Sequence, residues 1–99
     1  MADYKISLEA QNDLQQAYIY GVERYGVPAA DDFFDALYAC FDVIASSPRT
    51  WPRVDHVKQG YRRYIYRKGR GRTSIYYRIV GDIVEIMAVV QRQDLGGRA

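Results

Sequence analysis

The sequence predicts an α+β fold in the order β-α-α-β-β-β, in which a helical hairpin packs on one face of a mainly antiparallel, twisted sheet. Two observations support this prediction. Apolar residues recur at helical spacing through most of the first half of the chain. The second half instead carries short runs rich in β-branched and aromatic residues, separated by glycines. Because 99 residues are the length of one domain, we assign residues 1–99 to a single domain.

The first half is predicted to form a short strand and two helices. The strand spans residues 4–7 and ends at Ser7, a residue type that favours the N-cap of a helix. Apolar positions at helical spacing then continue to Gly26, which is typical of a helix C-cap. A second helix is expected from about residue 29 to residue 45, with an apolar stripe wider than one neighbouring element requires. The short link between them predicts an antiparallel hairpin.

The second half is predicted to form a loop and three strands. Prolines and polar residues mark residues 46–60 as the loop. The strands are expected at residues 61–66, 73–80 and 83–90, and Gly81 with Asp82 suits a tight hairpin turn between the last two. Because the last strand is almost entirely apolar, we expect it to be central or covered on both faces.

Charge is divided unevenly along the chain, although the net charge is only +2. Residues 1–48 carry a net charge of −6, and residues 49–99 carry +8. Such a split predicts an acidic partner, which could be a nucleic acid or an acidic protein segment. Attraction between the two halves of the fold explains part of the pattern as well, and both explanations can hold together.

Several function classes are disfavoured by composition. The N-terminus lacks the pattern of a signal peptide and no apolar run approaches about 18 residues, so we expect a cytoplasmic protein without a membrane span. The lone Cys40 is expected to be a buried thiol. With His56 as the only histidine, we expect no metal site and no cofactor. Acidic residues of the helices, Asp13 among them, are expected on solvated faces.

Two surfaces are candidate binding sites. In the stretch RKGRGR between the first two strands of the meander, glycines suit a hairpin end, but a turn does not require so many cations. Arginines beside tyrosines can hold phosphates and stack on bases. The predicted basic surface consists of Arg62, Arg63, Arg67, Lys68, Arg70, Arg72, Arg78 and Arg92. The second surface is an apolar groove of the helical hairpin, which could equally be core: Tyr18, Val22, Phe34, Leu37, Tyr38 and Phe41.

Three stretches in this order resemble the ParE toxins of the RelE/ParE toxin superfamily over nearly the whole chain. They are YKISLEAQNDLQQAYIYGVERYG, SPRTWPRV and VKQGYRRYIYRKGRGRTSIYYRIVGDIVEIMAVV. The resemblance implies the toxin of a type II toxin–antitoxin pair, which inhibits DNA gyrase and is silenced by a ParD-like antitoxin. A ribbon-helix-helix part of such an antitoxin binds the operator, so the toxin meets operator DNA only indirectly. The apolar groove is expected to receive the antitoxin, and the basic surface to face the gyrase–DNA target.

Two alternatives accompany this interpretation. The first is a RelE-like mRNA endonuclease with an unusual site built on Arg63, Arg78 and Arg92. RelE-like relatives cleave mRNA on the ribosome and usually place a histidine or tyrosine near the end of the last strand. Here neither residue type occurs beyond Tyr77, and Gln91 or Val90 stands where many ParE-like chains have histidine. An evident acid or base for cleavage is therefore missing from that region, which favours inhibition by binding over catalysis. The second alternative is a non-toxic homologue that only binds an antitoxin and tunes its promoter occupancy.

Overall fold

Two helices pack on one face of a four-stranded sheet in the computed structural model, which describes residues 3–68 and 71–93, with side chains up to residue 91. The predicted element order is confirmed. The elements are β1 (Tyr4–Ile6), α1 (Leu8–Tyr25), α2 (Val27–Ser46), β2 (Arg62–Lys68), β3 (Gly71–Val80) and β4 (Ile83–Gln93). Within the described ranges, no helix is long and apolar enough to cross a membrane.

The sheet has the strand order β1-β4-β3-β2. β1 runs parallel to β4, and the other two pairings are antiparallel. The apolar strand β4 is therefore central, as predicted. Several boundaries differ from the predictions by one to three residues, among them those of β2 and β3, which extend further into the hairpin than expected. α2 begins directly after Gly26, because the positive φ of that glycine (92°) turns the chain and Pro28 fits a first helical turn. β4 continues to Gln93, since ladder pairing with β3 does not require apolar side chains.

Helix α1 is hydrogen-bonded to β4 at a β-bulge of the sheet. The register between β3 and β4 shifts beside Met87, which is left as the extra residue of a bulge. Ser7 caps α1 by accepting a hydrogen bond from the Ala10 amide (3.1 Å), and its hydroxyl donates to the Met87 carbonyl (3.3 Å). One turn along, Asp13 Oδ2 accepts a hydrogen bond from the Val89 amide (2.9 Å). Asp13 is half-buried, so the prediction of a solvated carboxylate was wrong.

We expect Asp13→Ala to lower the free energy of unfolding by about 1–3 kcal/mol, because it leaves the Val89 amide without its acceptor beside the bulge. Urea unfolding followed by circular dichroism measures this change. Asp35→Ala is the matched control, since Asp35 is an exposed helical carboxylate and its loss should change stability by less than about 0.5 kcal/mol. Equal effects of the two substitutions would contradict the assigned role of Asp13.

The core lies between the helical hairpin and the sheet. Its fully buried large side chains come from α2, β3 and β4: Leu37, Phe41, Ile44, Ile75, Tyr77, Val84 and Ile86. Cys40 is buried among them, as predicted, and burial raises the pKa of its thiol. Tyr77 alone among these large side chains carries a hydroxyl, which donates a hydrogen bond to the Pro48 carbonyl (2.6 Å). This bond joins β3 to the loop that follows α2.

Burial raises the pKa of Tyr77 to about 12 from its ordinary value of 10.0. Because the neutral phenol is favoured in the folded state, Tyr77 leaves stability unchanged below pH 10 and reduces it as the pH rises from 10 toward 12. We expect a tyrosinate absorbance titration of the folded protein to show one group with a pKa near 12 that disappears in Tyr77→Phe. A Tyr77→Phe titration identical to that of the unchanged protein would contradict this assignment.

Candidate functional site

The sheet has one face packed against the helices and one face that no described helix covers. Residues alternate between these faces along each strand. On β3 the buried Ile75 and Tyr77 face the helices, so their neighbour Tyr76 lies on the opposite side. We call this second side the open face. The pairing register places on it Arg63, Ile65 and Arg67 of β2, Arg72, Ser74, Tyr76 and Arg78 of β3, and Glu85 of β4.

Three arginines stand directly opposite one another at one end of the sheet. Arg67 pairs with Arg72, and Arg72 pairs in turn with Arg92, across three adjacent strands. We call these three residues the arginine row. Arg67 and Arg72 are exposed, and neither forms a salt bridge with another described residue. Like charges directly opposite in a sheet destabilise it, by up to about 1 kcal/mol for each pair. The arginine row therefore lowers the stability of the sheet, and packing gives no reason for its presence.

The other end of the same face is electrically balanced. Arg78 lies opposite Glu85, and its guanidinium contacts the carboxylate at 2.8 Å through two nitrogens. Lys5 of β1 approaches the same carboxylate at 4.0 Å. Thus the pair β3–β4 places opposite charges together at Arg78 and like charges together at Arg72. This contrast concentrates uncompensated positive charge at the arginine row.

The remaining residues of the predicted basic surface are dispersed. Arg62 lies on the helix side of β2, where its guanidinium donates hydrogen bonds to the carbonyls of Trp51 (2.7 Å) and Arg49 (3.4 Å). Arg62 therefore holds the loop after α2 in place, and it lies on the side of the sheet opposite to the arginine row. Lys68 lies on the helix side of the sheet according to the register. Arg70 is outside the described residues.

The predicted groove on the helices is divided into a buried part and an accessible part. Leu37 and Phe41 have no exposed surface, so they belong to the core. Tyr18, Phe34 and Tyr38 instead form a line of ring contacts, at 5.2 Å and 6.4 Å between centroids. We call these three residues the aromatic ridge. Tyr38 is 40% exposed, and half-buried Val22 lies on the same hairpin.

Tyr18 is held in place by a hydrogen bond from its hydroxyl to Asp31 Oδ1 (2.8 Å), which joins α1 to α2. The same bond raises the pKa of Tyr18, because the neighbouring carboxylate disfavours the phenolate. This hydrogen bond ties the aromatic ridge to both helices of the hairpin. Its ring contacts continue through Tyr38 to Phe41 (5.3 Å) and from Phe41 to Tyr4 of β1 (5.5 Å). Sequence reasoning missed Tyr4, because nothing in the spacing places a strand residue beside α2.

A cleft of about 490 Å³ opens between the helical hairpin and the end of the sheet. Its walls include Tyr20 and Phe33 of the helices and Tyr66 of β2, with Phe33 and Tyr66 in ring contact at 6.1 Å. Lys68 also lines it, so that a cation stands beside aromatic walls. Sequence reasoning missed this cleft, since its lining comes from elements far apart in the chain. The described residues contain no cluster of three or more potential metal-ligating side chains.

Comparison with known proteins gives a consistent result. A family model described as "ParE toxin of type II toxin-antitoxin system, parDE" matches residues 4–96. Toxin ParE1 of Caulobacter vibrioides is 33% identical over 99 residues, covering 100% of this chain and 97% of the relative. Toxin ParE1 of Mycobacterium tuberculosis is 28% identical over 94 residues, covering 93% and 92%. A solved structure described as "Chromosomal ParDE TA system from P. aeruginosa" superposes with a TM-score of 0.78 at 16% identity, covering 94% and 98%, which shows a shared fold.

Proposed function

Because the chain belongs to the family of ParE toxins of type II toxin–antitoxin systems, we propose that it inhibits DNA gyrase by binding and is neutralised by a ParD-like antitoxin. The arginine row is the observation that supports this proposal most directly. Arg67 and Arg72 of this row are exposed, their like charges stand directly opposite each other at a cost in stability, and neither forms a salt bridge with a described acidic residue. Such a feature suits the recognition of an anionic target.

The surroundings of the arginine row favour binding over bond cleavage. An endonuclease must place an acid or base within hydrogen-bond reach of the reacting atoms. His56, the only histidine of the chain, lies in the loop that meets the start of β2 through the pairing of Arg53 with Arg62. Arg67 lies five residues after Arg62 on β2, which corresponds to about 17 Å at the rise of a strand. This distance separates the arginine row from the start of β2, which the loop with His56 meets. Glu85, the carboxylate on the open face, is already engaged by Arg78.

The antitoxin contact is proposed for the helical hairpin. The accessible residues of the predicted groove are Tyr18, Val22, Phe34 and Tyr38, and they suit apolar side chains of a partner. Leu37 and Phe41 support them from the core. An acidic segment of the same antitoxin would lie against part of the basic sheet, where it would compete with the target.

The test is a supercoiling assay with purified gyrase, relaxed plasmid and the purified chain. We expect supercoiling to stop at a toxin concentration comparable to that of gyrase, and to recover when a ParD-like antitoxin is added in equal amount. Cleavage of mRNA is followed in parallel in a reconstituted translation reaction and should not occur. Unaffected supercoiling together with cleaved mRNA would overturn the proposal in favour of an endonuclease. Inactivity in both assays would favour a homologue that only binds an antitoxin.

A further inference from the structure

We propose that the open face binds the phosphodiester backbone of a nucleic acid directly, with the arginine row on phosphates and Tyr76 as a stacking surface for a base. This inference goes beyond gyrase inhibition, which contacts to the gyrase protein alone could produce. It makes the toxin a ligand of nucleic acid in its own right, and it can be tested without gyrase.

The first support is the composition of the row. Guanidinium groups present planar, forked donors that match the oxygens of a phosphate, and they remain charged at all physiological pH values. Adjacent strands lie about 4.8 Å apart, so the backbones of Arg67 and Arg92 are separated by only about 10 Å. The side chains of Arg67 and Arg72 can therefore reach neighbouring phosphates of one strand, and the strand pairing places a third arginine, Arg92, next to them. Binding an anion would also remove the repulsion that the row imposes on the free protein.

The second support is what lies beside the row on the open face. Along β3, Arg72 is followed on this face by Ser74 and then by Tyr76, at intervals of about 7 Å. Tyr76 is only half-buried, and it lies directly opposite Arg63, a further cation without a described salt-bridge partner. With Arg63 beside it on β2 and the arginine row further along β3, this ring offers a surface for a base next to contacts for phosphates.

This arrangement favours nucleic acid over an acidic peptide. The carboxylates of an acidic peptide would pair with the arginines, but they would make no stacking contact with the ring of Tyr76. A nucleotide uses the charge, the serine hydroxyl and the ring together. An acidic peptide is nevertheless the competing ligand that the experiment must include.

The experiment measures fluorescence anisotropy of labelled probes of about 20 units, longer than the site sizes usual for one small domain. The probes are single-stranded DNA, duplex DNA and polyglutamate, each titrated with the full-length chain over a series of salt concentrations. We expect DNA to bind more tightly than polyglutamate, with an affinity that falls as salt rises. The two DNA probes decide whether a single strand or a duplex is the preferred source of the phosphates.

Two variants assign the binding to the open face. Arg67→Gln with Arg72→Gln should weaken DNA binding at least tenfold and reduce the salt slope by roughly 1.4–1.8, the contribution of two phosphate contacts. Tyr76→Leu should weaken single-strand binding about tenfold and leave the salt slope unchanged, because it removes stacking and no charge. Both changes lie on the face away from the core, and thermal melting verifies that each variant is folded.

The matched control is Arg24→Gln with Arg49→Gln, which removes the same net charge from exposed positions outside the open face. We expect its salt slope to be unchanged and its affinity to stay within about twofold of that of the unchanged protein. The proposal is overturned if polyglutamate binds as tightly as DNA, if DNA fails to bind at low salt, or if the control weakens binding as much as the row variant. A chain that binds DNA but leaves gyrase active would refute only the proposed function.

Discussion

Cells that produce the chain with Arg67→Gln and Arg72→Gln should continue to grow under conditions in which the unchanged chain arrests them. The two guanidiniums are exposed and lack described salt-bridge partners, so they are available to an anionic target. A hydrogen bond to a charged group contributes about 1.5–3 kcal/mol, and the loss of two should weaken target binding by at least about 100-fold. Viable counts after induction without antitoxin measure the effect.

The control for this result is again Arg24→Gln with Arg49→Gln, which should remain toxic. Folding is verified by thermal melting, which does not depend on antitoxin contacts to the basic sheet; the aromatic ridge lies on the helical hairpin and is unchanged in this variant. A row variant that binds antitoxin and kills as efficiently as the unchanged chain would show that the arginine row does not contact the target.

Phe41→Ala should lower the free energy of unfolding by about 3–5 kcal/mol, because Phe41 is fully buried and its removal leaves a cavity between α2 and the sheet. This loss is a large fraction of the total stability of a small domain. Tyr38→Ala, one turn earlier on the same helix, removes a side chain that is 40% exposed, and should cost less than about 1.5 kcal/mol. Chemical denaturation compares the two variants.

The same pair tests the division of the predicted groove. Tyr38→Ala should weaken antitoxin binding at least tenfold while the protein remains folded, because Tyr38 belongs to the aromatic ridge. Calorimetric titration with the antitoxin measures this affinity. If Tyr38→Ala leaves the antitoxin affinity unchanged, the ridge is not the antitoxin contact. If Phe41→Ala is as stable as Tyr38→Ala, the assignment of Phe41 to the core is incorrect.

The element order could be predicted because periodicity and turn residues are local signals. Helical spacing changes to β-rich runs after the loop, and the almost entirely apolar run from Ile83 indicated the central strand. The family resemblance was carried by motifs in the same order, and the match over residues 4–96 confirms it. Each of these inferences uses information contained in one segment at a time.

The faces of the basic residues could not be predicted, since they depend on strand register. Arg62 and Arg63 are neighbours in the sequence, yet Arg62 donates to the carbonyl of Trp51 on the helix side and Arg63 lies on the open face. Alternation along β2 puts the two on opposite faces, but only the pairing with β3 shows which of these faces the helices cover. The arginine row has the same origin, because it joins three strands whose mutual register no local pattern specifies.

Long-range polar contacts were missed for a related reason. Asp13 has the spacing of a surface residue on α1, but the bulge at Met87 presents the Val89 amide to it. A bulge is a feature of two paired strands and leaves no signal in either strand alone. The cleft beside Lys68 likewise arises only when the helical hairpin meets the end of the sheet.

The most direct test of the proposed function is the incorporation of labelled thymidine and labelled methionine in the first minutes after the chain is induced alone. We predict that thymidine incorporation stops first while methionine incorporation continues, as expected when replication is blocked at gyrase. If methionine incorporation stops first, the toxin acts on translation, and the arginine row must be re-examined as part of a catalytic site for RNA.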